Sequence, residues 1–231
     1  MTQTAPIGPV KPASAVLFSA GLDSAVLAAA EARNGGVHTL YVSCGLAWEA
    51  EELEAAGRLL ATPAFAGVEP LARLIFTARD LYPAMHWALT GHPPAFDTPD
   101  EDVYLTGRNI MLLSKAAIYC AQHDLRRVAL ATLAHNPFPD ATAAFFDAMG
   151  RALSLGLNHT IEIATPFATL DKSAVVRLGI ELRVPLELTL SCMNPRAGRH
   201  CGLCSKCRER RDAFLDAGVD DRTDYATAPL R

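Results

Sequence analysis

The stretch "LFSAGLDSAVLAAA", residues 17–30, decides the fold. An apolar run stops at Ser19, turns through Ala20 and Gly21, and restarts as an Ala/Leu-rich stretch of helical period. Residues 15–19 read as a buried strand. Residues 24–34 read as a helix, with Gly35 and Gly36 as its stop signal. A strand that enters a helix through Ser, Gly, Asp and Ser makes an anion site. Gly21 permits a tight turn and close approach of a ligand, the helix aims free N–H groups and its positive end at the turn, and two hydroxyls add donors. Asp23 suits such a site if a divalent cation bridges it to phosphates, or if it caps the helix. The turn is neither a Walker loop nor G-x-G-x-x-G. An ordinary Ser/Asp-capped helix is the competing reading.

Working outward, strand and helix patterns alternate five times. "VHTLYVS" (37–43) is the second strand, and 49–60 is a helix with one acidic and one Leu/Ala face. Residues 68–75 are a third strand, weakened by Pro70. Residues 108–123 form a helix opened by "GRN", and 127–133 form the fourth strand. Pro139 and Asp140 start a helix over 141–155, and 160–163 is the fifth strand. A helix over 171–183 has Asp171 as its N-cap, and a last helix ends near Ala217. This alternation predicts an α/β fold: a five-stranded parallel sheet with helices on both faces, binding ligands beyond the carboxyl ends of its strands. Residues 1–14 read as a flexible tail, 15–185 as the nucleotide-binding domain, and 186–231 as a small C-terminal metal-binding subdomain with a polar tail. Within the main domain, residues 77–104 hold four prolines and Trp87. They read as an irregular excursion with one helical turn, serving as a lid or an interface.

The chain has 231 residues, half of them hydrophobic, and a net charge of −4. That charge gives no general push toward nucleic acid or an anionic membrane. No apolar run approaches the roughly 18 to 20 residues that cross a bilayer, and the N-terminus lacks an export signal, so a cytoplasmic protein is expected.

Cys192, Cys201, Cys204 and Cys207 follow the spacing C-x8-C-x2-C-x2-C. In a reducing compartment such a group reads as a metal site, and four thiolates closing a tetrahedral shell make it structural zinc. An iron–sulfur cluster is the alternative. Arg199, Lys206 and Arg208 would offset the negative charge of the centre. A nucleic-acid-binding ribbon is disfavoured because no aromatics interleave the basic residues between Arg196 and Arg211.

"SAGLDS" (19–24) resembles the S-G-G-x-D-S signature of the PP-loop ATP pyrophosphatases, with Ala20 where the family usually has glycine. The resemblance implies that ATP is held by Phe18, Ser19, Ala20, Gly21, Leu22, Asp23, Ser24, Ala25, Val26, Leu27 and Ala28, with magnesium at the phosphates. The C-terminal "LTLSCMNPRAGRHCGLCSKCRERRDAF" (188–214), with "GRN" (107–109), "NPFPD" (136–140), "TPF…LDK" (165–172) and "VPLELTLSC" (184–192), is similar to the 7-cyano-7-deazaguanine synthases, the QueC family of queuosine precursor synthesis. That resemblance implies an ATP-dependent ligase. It adenylylates a deazapurine carboxylate, admits ammonia to form an amide, and activates again to form the nitrile. Asp23, Ser24 and Lys172 take the catalytic places, while Arg108, Asn109 and Asp140 take the substrate-binding ones. No direct nucleic-acid partner is implied, and a homodimer is.

Two departures fall where the base should be read: Phe138 and Ala141 stand where the family tends to have tyrosine and cysteine. They leave open a ligase that stops at the amide or takes a related carboxylate. A PP-loop tRNA sulfurtransferase is a further alternative and needs a reactive thiol, for which Cys44 is the candidate. A non-enzymatic zinc module is the reading from another class, and it leaves the SAGLDS turn without a purpose.

Overall fold

The computed structural model describes residues 13–228, so residues 1–12 of the expected tail lie outside the described residues. Five parallel strands stand in the order β3-β2-β1-β4-β5. They are β1 (Ser14–Leu17), β2 (Val37–Ser43), β3 (Val68–Ile75), β4 (Arg127–Ala129) and β5 (Glu162–Ala164). The helices are α1 (Leu22–Ala32), α2 (Glu49–Leu60), α3 (Trp87–Thr90), α4 (Arg108–Gln122), α5 (Ala143–Leu157), α6 (Lys172–Glu181) and α7 (Ser205–Ala217). β1 pairs with β2 on one side and β4 on the other, so the strand order reverses at β1/β4. That is where a doubly wound sheet opens a crevice for a ligand.

Side-chain alternation along β1 fills two cores. Val16 and Phe18 pack into the layer that holds α1, α2, α6 and α7, while Ala15 and Leu17 pack against α4 and α5. β2 repeats the pattern, with Leu40 and Val42 on the α4 side. Helices α1 and α6 approach closely because Gly179 has no side chain. A Cβ there would sit 2.8 Å from Leu186 and 2.9 Å from Val26, inside any real contact distance.

Several expected boundaries move. β1 opens at Ser14, one residue into the expected tail. β4 ends at Ala129; the Leu130 N–H still reaches the Ala164 carbonyl at 3.0 Å, and residues 131–133 leave the sheet to line the cavity above it. α5 starts after a 3-10 turn at Pro139–Ala141, capped by Thr142, whose hydroxyl accepts from the Phe145 N–H. Asp140 is therefore not that helix's cap. Asp171 does cap α6, accepting from the Ala174 N–H at 2.7 Å.

The excursion 77–104 holds α3 and a 3-10 turn at Asp100–Val103. It folds back over the crevice. Trp87 stacks on Trp48 with ring centroids 5.8 Å apart, and Arg208 of α7 reaches Asp100 at 3.4 Å. Among the described residues, no helix is long and apolar enough to cross a membrane.

Candidate active site

A cavity of about 580 Å³ lies beyond the carboxyl ends of β1, β2 and β4. The turn after β1 forms one wall. α1 has Gly21 as N-cap and no side-chain cap, so its first-turn N–H groups remain for a ligand. Asp23 lies inside the first turn, which removes its reading as a cap. Ser24 Oγ donates to the Gly21 carbonyl at 3.0 Å, and the Gly21 N–H points at Ser19 Oγ at 3.3 Å. A Cβ on Gly21 would stand 3.2 Å from Ser19 Oγ, so glycine keeps the turn tight.

The backbone demand falls on Ala20 rather than Gly21: Ala20 has φ +61°, while Gly21 is extended at φ −64°. A left-handed residue with a Cβ costs roughly 1–2 kcal/mol, and glycine returns about 0.4–1 kcal/mol of that as unfolded-chain entropy. Ala20→Gly is expected to raise stability by up to about 1 kcal/mol, read as a higher urea midpoint at unchanged slope.

Phe18, Ser19, Gly21, Leu22, Asp23 and Ser24 line the cavity. Ala25, Val26, Leu27 and Ala28 are fully buried in the core, so the stretch expected to hold ATP narrows to its first residues. Ala20 is buried too, and its carbonyl accepts from the Leu190 N–H at 2.9 Å, which pins the turn to the segment leading into the cysteines.

Lys172 is no solvated lysine. Its Nζ lies 3.0 Å from Asp23 and 2.6 Å from Glu209. Burial works against its charge, and the two carboxylates more than offset this, raising its pKa. Glu209 also pairs with Lys206 at 2.6 Å, and despite burial the two lysines hold its carboxyl down at about 2. The second oxygen of Asp23, Oδ1, is buried without a partner beside the turn after β1. An orphan carboxylate oxygen there suits a hard divalent cation such as magnesium.

Arg108 and Asn109 open α4 at the cavity rim. Arg108 has its Nε buried without a partner. Asp140 Oδ2 accepts the Asn109 backbone N–H at 3.1 Å, and Asn109 Nδ2 donates to the Asp140 carbonyl at 2.8 Å. Asp140 thus caps α4 from 31 residues away. Phe138 stacks on Tyr104, 5.1 Å between centroids, which sets a phenol from the excursion beside the ring that lacks a hydroxyl.

Beside this wall sits a carboxylate that the sequence reading missed. Glu52 of α2 accepts the Tyr41 hydroxyl at 2.7 Å and lines the cavity. Burial raises its pKa to about 7, opposed by the nearby Arg108 charge and the Tyr41 hydrogen bond. A carboxyl raised in the folded state binds its proton more tightly there than when unfolded. Its contribution to stability therefore falls as pH rises from about 4.5 through about 7.

The four cysteine Sγ atoms all lie within 4.8 Å of one another. Cys192–Cys204, Cys201–Cys207 and Cys204–Cys207 are 4.0, 3.8 and 3.5 Å apart. Tetrahedral metal–sulfur bonds of about 2.3 Å give an edge of about 3.8 Å, so the cluster could hold one metal ion. Two of the three expected cationic neighbours are otherwise engaged, Lys206 with Glu209 and Arg208 with Asp100. Backbone donors serve the sulfurs instead: the Cys201 and Asn194 N–H groups reach Cys192 Sγ at 3.2 and 3.3 Å. Arg210 is wholly buried and ties α7 to Leu186, Thr189 and Thr223.

Cys44 is buried, its thiol donates toward the Val42 carbonyl, and burial pushes its pKa up. That setting favours the thiol over the thiolate that sulfur transfer requires.

A five-stranded doubly wound sheet with an uncapped Ser/Asp turn opening on a cavity at its carboxyl edge defines a nucleotide-handling enzyme of the PP-loop class. The chain belongs to the QueC family: the family model "Queuosine biosynthesis protein QueC" matches residues 13–218. It is similar to the 7-cyano-7-deazaguanine synthase of Methanopyrus kandleri, 36% identical over 91% of this chain and 97% of the relative. It is 34% identical to that of Anaeromyxobacter dehalogenans, over 91% of this chain and 94% of the relative. Among solved structures, the U34-tRNA thiolase NcsA from Methanococcus maripaludis shares the fold at TM-score 0.50 and 13% identity, covering 91% of this chain and 74% of that one.

Proposed function

We propose that the chain converts 7-carboxy-7-deazaguanine, ammonia and ATP into 7-cyano-7-deazaguanine. The observation that carries the reading is the placement of the phosphate turn, the orphan Asp23 oxygen and the unpartnered Arg108 Nε on one cavity. In the first half-reaction a substrate carboxylate oxygen attacks the α-phosphorus of ATP, and pyrophosphate leaves. Ammonia then attacks the acyl carbon, AMP departs with the original oxygen, and a proton is lost to give the amide. In the second, the amide oxygen attacks the α-phosphorus of another ATP and pyrophosphate leaves. Loss of AMP, which takes that oxygen, and of both amide protons leaves the nitrile.

The chain's own residues suit these steps. The first-turn N–H groups and Ser19 and Ser24 bind phosphate oxygens, and Lys172 stands where negative charge develops. Magnesium at Asp23 would neutralise the phosphates. The excursion over the crevice keeps water from the acyl adenylate. Arg108 and Asn109 hold substrate at the α4 end. Four thiolates with backbone N–H donors suit structural zinc, as does a cytoplasmic, reducing setting. A homodimer is the proposed assembly.

With 7-carboxy-7-deazaguanine, ATP, magnesium and ammonium, the expected products are the nitrile with two AMP and two pyrophosphate for each one formed. Carboxylate labelled with oxygen-18 should deliver its label to AMP. Unlabelled AMP, or a carboxylate left unchanged by protein that carries metal, would overturn the assignment. Amide accumulating with one AMP would shift it to an amide-forming ligase.

A further inference from the structure

We infer that Glu52 is a specificity-determining residue that reads the paired N–H and amino donors on the pyrimidine edge of the substrate, and that Tyr41 orients it. The inference rests on the reading above, because it takes the substrate to be a deazaguanine.

The case starts from the carboxylates that line the cavity. Asp23 and Glu209 are paired with Lys172. Asp100 faces Arg208 and Asp171 caps α6. Asp140 is occupied by the start of α4. Glu49 closes the turn after β2, accepting from Ser43 Oγ at 2.6 Å, Cys44 N at 2.7 Å and Gly45 N at 2.9 Å. Among the described lining residues, this leaves Glu52 as the carboxylate without a backbone cap or a salt bridge. It is only 7% exposed, and it accepts from the Tyr41 hydroxyl, with the Trp48 side chain as a second neighbouring donor. An ionised carboxylate offers about four acceptor sites, so part of this one's capacity remains for a ligand's two donors. Arg108 lies near enough to act on it but forms no salt bridge with it, so its burial still costs stability that a ligand's donors would offset.

Position and chemistry point the same way. The group that reacts with ATP must lie at the turn after β1, and Tyr41 sits on β2, the next strand. A flat bicycle whose carboxylate reaches the phosphate turn extends its far edge toward that neighbouring strand. Trp48 and Trp87 stack alongside and give a flat aromatic wall. A guanine-type edge presents N1–H and a 2-amino group side by side, two donors matched to two carboxylate oxygens. An adenine edge alternates donor and acceptor and so sets a lone pair against an acceptor-only group. Glu52 therefore belongs to the deazaguanine and not to the adenine of ATP.

The test compares wild type with Glu52→Gln on 7-carboxy-7-deazaguanine and on its analogue lacking the 2-amino group, by calorimetric binding and by steady-state kinetics. Wild type should prefer the 2-amino substrate by about 10- to 100-fold. Glu52→Gln should lose that preference, with weakened substrate binding and an ATP KM within about 3-fold of wild type. Its melting temperature at pH 8 should not fall, since it removes a buried charge. Tyr41→Phe keeps the carboxylate and should raise substrate KM by about 3- to 10-fold, which tests the idea even if Glu52→Gln folds poorly. A Glu52→Gln enzyme that still discriminates, or whose defect lies in ATP KM alone, overturns the inference while the proposed function stands. Wild type that neither binds nor converts the deazaguanine overturns the function itself.

Discussion

Asp23→Asn is expected to lower kcat by about 10²- to 10³-fold while leaving the four-cysteine site loaded with metal. The substitution is isosteric, so the turn keeps its shape. What changes is charge. Asp23 Oδ2 holds Lys172 at 3.0 Å, and its buried Oδ1 has no partner in the protein. Asparagine presents a neutral face to both the lysine and any cation at the phosphates. Lys172 would then lean on Glu209 alone, which draws it away from the turn. Activity within a few-fold of wild type would show that Asp23 is a structural ion-pair partner only. Steady-state turnover measured beside metal analysis on the same preparation separates the two.

Cys204→Ser should produce the largest loss of stability. Cys204 is both a prospective ligand and the N-cap residue of α7, and its sulfur lies 3.5 Å from Cys207 and 4.0 Å from Cys192. Removing one ligand from a closed tetrahedral shell releases the strap 188–204 and the start of α7. That strap carries Leu190, bonded to the Ala20 carbonyl, and α7 carries Glu209, bonded to Lys172. Loss of a structural metal belongs with the few changes worth more than about 4 kcal/mol, so a drop in melting temperature of about 10 °C or more is expected. Turnover should fall with it, because the first contact ends on the β1–α1 turn and the second on Lys172, which pairs with Asp23 of that turn. A variant that lacks metal, melts like wild type and retains turnover would show that the cluster is dispensable.

The parts of this architecture visible in sequence are those with local causes. β2, α2 and β3 follow from apolar periodicity and flanking turn residues, and they fall at the expected boundaries. The Asp171 cap was visible because an N-cap acts within three residues. The expected β4 runs too long because Ala131 and Leu133 are apolar for another reason, lining a cavity rather than extending a sheet.

The site itself was half legible. "SAGLDS" and the cysteine spacing name their own neighbourhoods. The partners that give Lys172, Asn109 and Glu52 their settings do not, since Glu209 is 37 residues from Lys172 and Asp140 is 31 from Asn109. Glu209 was hidden in a run noticed for its arginines. Glu52 belongs to a helix whose sequence shows only an acidic face and a Leu/Ala face, and the fold alone turns it toward Tyr41. The positive φ of Ala20 has no signature in the residue itself, since alanine rarely adopts it; the hint is the glycine that the S-G-G-x-D-S signature places there.

The central claim is that the bend between β1 and α1 holds a triphosphate for attack by a carboxylate. A crystal structure with magnesium and a non-hydrolysable ATP analogue tests it directly. The account predicts phosphate oxygens against the backbone N–H groups of residues 21–24, with a cation at Asp23 Oδ1 and Lys172 within contact of the phosphates. A triphosphate lodged elsewhere in the cavity, with the bend closed by its own side chains, would contradict it.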